Sequence, residues 1–288
     1  MKKKYVNTII IIAFILTLVI LTLAAALVSR KIEPFEIPII EPVWAYWEKK
    51  PGEEIPAIVE RCYKNWNTIG NIKDIRYLTP ENLNMYIPQR EISRIERSCD
   101  GDLAVKSDFI GLYLIANYGG TVIDGTVYMH QPLSSWLPDV IGAAPFFCFD
   151  ATRYGSICPE TFFMYGKKGS QVASRWYELG LKVGASGKKG REKFISKVNK
   201  EFPGKLDKFP KDNYLWMYMV GKYMLLRYPA LGDQLNIYTS EDDPLRTIAE
   251  ANWETDPTCK ALTSKQSTRI TKLDNGLWKK CPIEIVPV

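Results

Sequence analysis

The stretch Lys106–Met129, KSDFIGLYLIANYGGTVIDGTVYM, constrains the fold of this chain more than any other part. Val105, Phe109, Leu112, Tyr113 and Ala116 share one helical stripe, and Ile110 and Leu114 widen it. That pattern predicts a helix from Asp102 to Tyr118, buried on most sides. Gly119-Gly120 should end it, because glycine accepts the left-handed conformation that closes a helix. Thr121 to Ile123 is β-branched and predicts a strand, which delivers Asp124 into a Gly-Thr corner. A carboxylate at the exit of a buried strand is how an α/β protein presents charge at the carboxyl edge of its sheet. The structural alternative is an aspartate that only braces a tight turn.

The same alternation runs along the chain. Val43 to Trp47, Asp74 to Leu78, Phe146 to Phe149 and Thr161 to Tyr165 predict strands. Glu53 to Trp66, Ile92 to Arg97, Val172 to Val183, Glu192 to Asn199 and Tyr214 to Leu226 predict helices. Thr79 followed by Pro80 reads as a helix cap with proline at the first position. An α/β fold with a mixed sheet flanked by helices follows. The 288 residues, 46% of them hydrophobic, suffice for one large domain over 43–288.

Ile9 to Val28 is an uncharged apolar run broken only by Thr17 and Thr22, about the length that crosses a bilayer as a helix. Lys2, Lys3 and Lys4 precede it. The expected order is a cytoplasmic N-terminus at 1–8, a transmembrane anchor at 9–28, a proline-bearing stalk at 29–42, and a luminal or extracytoplasmic domain. A cleaved signal peptide ending near Ala24-Ala25-Ala26 is the alternative.

The net charge of +6 says little about partners. Residues 1–31 hold five Lys/Arg and no acid, so residues 32–288 carry 33 basic and 32 acidic side chains. Nothing suggests nucleic-acid binding; Lys188-Lys189-Gly190-Arg191 reads as a solvated loop. Six cysteines permit disulfides, with Cys148/Cys158 and Cys259/Cys281 the closest pairs in sequence; free buried thiols are the alternative. One histidine, His130, and no CxxC pair argue against zinc. A hydrolase lacks its usual Gly-x-Ser-x-Gly or paired-acid signature.

Trp44-Ala45-Tyr46-Trp47, the Pro56-to-Trp66 segment, Lys106-Ser107-Asp108, Tyr118-Gly119-Gly120 and Asp124-Gly125-Thr126 occur in an order that resembles the capsular polysaccharide synthesis family. That family is similar to the glycosyltransferases with a DXD-containing sugar-binding region. The resemblance implies a GT-A, Rossmann-like fold and retaining transfer of a sugar from a nucleotide-diphosphate donor to the hydroxyl of a glycan or other acceptor. It implies Asp124 as the catalytic carboxylate. Trp44, Ser107, Asp108, Gly119, Gly120, Asp124, Thr126 and Lys272 would bind the donor, and Asp124 with Thr126 would hold Mn2+ or Mg2+.

Three departures bear on that expectation. The second carboxylate of Asp-x-Asp is Thr126, an arginine three residues after Ser-Asp is Gly111, and the histidine of His-Lys-Leu is Thr271 in Thr271-Lys272-Leu273. Weaker metal dependence is therefore expected, with Lys272 or Arg269 neutralising the diphosphate. The alternative is a catalytically degenerate, membrane-anchored protein that binds glycans or a partner. Tyr214, Trp216 and Tyr218 read as core or as a sugar-stacking platform, while Asp233, Asp242 and Asp243 read as exposed loop.

Overall fold

The computed structural model describes residues 15–17, 19–20, 40–155, 157–210, 214–251, 254 and 268–273. The chain divides into two units, 1–37 and 38–288. Of the first unit, residues 15–17 and 19–20 are helical and exposed; the rest of the expected anchor lies outside the described residues. Among the described residues no helix is long and apolar enough to cross a membrane.

The second unit is built, in chain order, from β1 (Val43–Tyr46), α1 (Ala57–Thr68), β2 (Ile75–Leu78), α2 (Gln89–Cys99), α3 (Leu103–Tyr118), β3 (Gly120–Ile123) and β4 (Val127–Met129). There follow α4 (Leu137–Ile141), β5 (Phe146–Asp150), β6 (Pro159–Gly166), α5 (Gln171–Gly184), α6 (Gly187–Glu201) and α7 (Trp216–Arg227). β7 (Leu235–Thr239), α8 (Arg246–Glu250) and β8 (Ile270–Lys272) complete it.

Six strands form one mixed sheet in the order β2-β1-β3-β6-β5-β7. β1 runs parallel to β2 and β3, and β5 runs parallel to β7. β6 pairs antiparallel with both β3 and β5, so the other five strands of this sheet share one direction. β4 and β8 make a separate antiparallel pair.

Side chains alternate across the sheet with period two, and that alternation builds two cores. Trp44, Tyr46, Val122, Phe146, Cys148 and Met164 pack under α2, α3, α5, α6 and α7. Val43, Ala45, Ile123, Phe147, Phe149 and Phe163 pack under α1, α4 and the β4–β8 pair. A sheet covered on both faces explains why its strands read as near-continuous apolar runs.

Gly111 lets α3 approach that sheet. A Cβ there would lie 2.9 Å from Val122 Cγ1 and 3.3 Å from Met164 Cε, so a larger side chain would have to displace them. Gly119 and Gly120 have φ of 76° and 96°, and a Cβ on Gly120 would come within 2.2 Å of the Pro42 carbonyl.

Several expectations need correction. Thr79-Pro80 opens a turn closed by Asn82, whose Oδ1 accepts from Thr79 N at 2.8 Å, and a short 3-10 turn over Leu83–Met85 follows. The Lys188–Arg191 run is the first turn of α6, with Arg191 paired to Asp100 at 3.1 Å. Cys148 and Cys158 are free buried thiols, as are Cys62 and Cys99. Cys148 sits opposite Met164, whereas Cys158 meets Ala151, whose N–H donates to the Cys158 carbonyl oxygen at 2.9 Å. Three residues of strand span roughly 10 Å, beyond the Cα separation of about 7 Å that a disulfide tolerates. Cys259 and Cys281 lie outside the described residues. Asp243 is buried, accepting from Arg269 N at 2.7 Å, while Asp233 and Asp242 are exposed as expected.

Candidate functional site: a charged cleft at the carboxyl edge of the sheet

Parallel strands end together, so β1, β3, β5 and β7 deliver their exits to one edge of the sheet. The antiparallel β6 begins there. Asp124 follows β3, Asp150 closes β5, Glu241 follows β7 and Glu160 opens β6. α3 also starts at this edge, where Asp102 Oδ1 accepts from Ala104 N at 2.9 Å and Val105 N at 3.2 Å. Ser107 and Asp108 on its first turns therefore face the cleft. The cavity holds about 240 Å³, and Trp44, Tyr46, Asp108, Asp124, Glu160 and Lys272 are among its walls.

Asp124 both braces its turn and faces the cavity. Its backbone N–H donates to Phe162 O at 2.8 Å, fixing the exit of β3 against β6. Its Oδ1 accepts from Thr126 N at 2.8 Å, Thr126 Oγ1 at 2.6 Å and Lys272 Nζ at 3.0 Å. Lys272 Nζ also donates to Thr126 Oγ1. The Asp124 side chain remains 36% exposed and that of Lys272 19%, whereas Thr126 is sealed beneath them at 1%. Burial raises the Asp124 carboxyl pKa, but the Lys272 ammonium and the Thr126 donors outweigh it and hold it below the ordinary value.

Lys272 arrives from far along the chain. β8 pairs with β4, placing Lys272 opposite Val127, and Leu273 N donates to Thr126 O at 2.9 Å. Lys272 N donates to Pro244 O at 2.8 Å, and the buried Asp243 holds Arg269. Arg269 lies over the Trp136 and Tyr238 rings and is not among the cavity walls.

Asp108 differs from its neighbour. Burial pushes its carboxyl up to about 8; the Thr161 hydroxyl opposes the rise and the Asp124 charge adds to it. The two carboxyl groups are thus pushed apart, Asp124 towards its charged form and Asp108 towards its neutral form. His130 does not enter the cavity walls. Its Nε2 meets Thr271 Oγ1 at 2.8 Å, and burial lowers its pKa to about 4.

A second cluster stands in the wall beyond Thr161. Arg153 donates to Glu160 and Glu241, each at 2.6 Å. Glu160 is 1% exposed, and burial raises its pKa although Arg153 opposes this. Tyr218 and the exposed Tyr214 line the cavity from α7 and the turn before it.

The structure thus brings together Trp44, Ser107, Asp108, Asp124 and Lys272. Trp44 is anchored by its Nε1 donating to Gly119 O at 2.8 Å. Gly119 and Gly120 sit at the opposite end of β3 from Asp124, outside the cavity walls, and close the helix there. Thr126 reaches the site only through its bonds to Asp124 and Lys272. Arg153, Glu160 and Thr161 were not anticipated: Pro159-Glu160-Thr161 looks like an ordinary strand opening, and only the antiparallel insertion of β6 brings it to this edge.

The sequence profile of the capsular polysaccharide synthesis protein family matches residues 22–183. The chain belongs to this family. Among curated proteins no sequence matches the chain significantly. The capsular polysaccharide synthesis match takes in β1 through α5, hence Trp44, Ser107, Asp108, Asp124, Arg153 and Glu160. Lys272 and Tyr218 lie beyond it.

Proposed function

We propose that this member of the capsular polysaccharide synthesis family is a glycosyltransferase of GT-A type. It moves a sugar from a nucleotide-diphosphate donor to the hydroxyl of a glycan or other acceptor. The observation that carries this reading is Asp124, ionised and part-exposed at the exit of β3, beside a cavity at the carboxyl edge of a largely parallel sheet. Ligands of open α/β sheets bind in that crevice.

Trp44, Ser107 and Asp108 take the nucleotide side of the cleft. The pyrophosphate lies by Asp124 and Lys272, and the acceptor enters past Tyr214. As the glycosidic bond breaks, negative charge grows on the leaving phosphate, so fixed donors aimed at it lower the barrier. No carboxylate is assigned as a covalent nucleophile; the leaving phosphate oxygen takes the acceptor proton on the same face, and configuration is retained. Residues 9–28 anchor the chain and keep the domain outside the cytoplasm.

Calorimetric titration with UDP, GDP and their sugar conjugates, followed by assay of nucleotide release, tests this. Binding with slow donor hydrolysis supports transfer, and no heat with any nucleotide overturns it. The bond from Lys272 to Asp124 and Thr126 in place of the second acid of Asp-x-Asp favour one other reading, a binding protein without turnover. That reading predicts glycan binding without nucleotide binding.

A further inference from the structure

Relatives with Asp-x-Asp imply a divalent ion at this corner, and the donor set can be tested for one. Hard divalent cations take several oxygen ligands, commonly one or two carboxylates plus phosphate oxygens. Here Asp124 Oδ1 already accepts three donors. The Thr126 hydroxyl gives its proton to Asp124, accepts from Lys272, and is buried. At this corner only Asp124 Oδ2 is left, next to an ammonium that repels any cation, and the Asp108 carboxyl in the same cavity is engaged by the Thr161 hydroxyl. Among the described residues no group of three His, Cys, Asp or Glu side chains could hold a metal. The residues present do not fit a divalent ion.

We infer that Lys272 is the resident counter-ion of the pyrophosphate, and that Asp124 and Thr126 position its ammonium, so that donor binding is metal-independent. This rests on the reading of the cleft as a nucleotide-diphosphate site. The geometry is suited to the role. Lys272 is held at three points, by Asp124, by Thr126 and by the β4–β8 ladder, yet its side chain stays 19% exposed in the cavity wall. An ammonium has three donors. Two are engaged with Asp124 and Thr126, and the third is available to a phosphate oxygen. Asp124 then acts through Lys272 and is a positioning residue for the diphosphate.

The test uses the full chain in detergent, with UDP, GDP and inorganic pyrophosphate as probes, titrated in EDTA and again in Mn2+. The expected result is equal affinity in both conditions. Lys272→Met should lower affinity by about tenfold to a hundredfold, as for loss of a charged hydrogen bond, and Lys272→Arg should restore part of it. Lys272→Asp adds a carboxylate beside Asp124 and should make binding depend on Mn2+. Binding by the unmodified chain that vanishes in EDTA, or Lys272→Met binding unchanged, would overturn the inference while leaving the proposed function intact. Failure of every nucleotide and of pyrophosphate, with and without Mn2+, would overturn both.

Discussion

Asp124 and Asp108 share one cleft but differ in ionisation, and the difference is testable. Asp124→Asn keeps the turn bonded while removing the charge that orients Lys272. Transfer should fall by about 10²-fold or more, as when one electrostatic stabiliser is lost, with thermal stability measured in parallel to show the fold intact. Asp108 has a folded-state pKa raised from 3.8 to about 8. Its contribution to stability is therefore complete below pH 3.8 and is lost as pH rises through about 8. Relative to Asp108→Asn, the unmodified chain should lose melting temperature across that window, read from thermal denaturation at stepped pH. A flat difference would place Asp108 in a more solvated setting. Asp124, Ser107 and Asp108 were legible because short-range order (helix, Gly-Gly, strand, turn) fixes where they emerge. Glu160 was not, because its place depends on a strand inserted antiparallel between β3 and β5.

Elements show the same division between local and distant causes. α1, α3, α5 and α7 follow from apolar periodicity and appear within a few residues of the expected ranges. β4 and β8 are only three residues long and depend on pairing, and the part-exposed Leu-Asn-Ile-Tyr-Thr of β7 lacks a continuous apolar run, so none of them announces itself. β4 is held by α1: Asn65 Nδ2 donates to Met129 O at 3.0 Å, and Met129 N donates to Asn65 Oδ1 at 2.7 Å. Trp66 Nε1 adds a bond to Val127 O at 2.6 Å. Asn65→Ala strands both backbone groups of Met129 in a buried setting. Urea denaturation should show a loss of about 1–3 kcal/mol. Nucleotide affinity should weaken too, because β4 carries β8 and β8 carries Lys272.

Across the whole domain, two apolar layers enclose the sheet and charge gathers at one edge. The Arg153–Glu160–Glu241 cluster belongs to that edge and ties the β5–β6 connection to the exit of β7. Removing one partner of a buried pair leaves the other uncompensated. Arg153→Met should therefore cost about 3–5 kcal/mol by chemical denaturation, because it strands the buried Glu160, whereas loss of Glu241 leaves Arg153 paired to Glu160 and should matter less. The α/β class was readable from element alternation. The strand order was not, since nothing local tells β6 to enter between β3 and β5.

Because β8 closes over the Asp124 corner, the cleft draws on residues 148 positions apart. All six strands of the main sheet precede Lys272 in the chain, so the cation is the last piece of the cleft to be synthesised. A chain ending between residues 240 and 270 would lack not only Lys272 but also Ile270 and Leu273, which cover Val127 and Met129 in the second core.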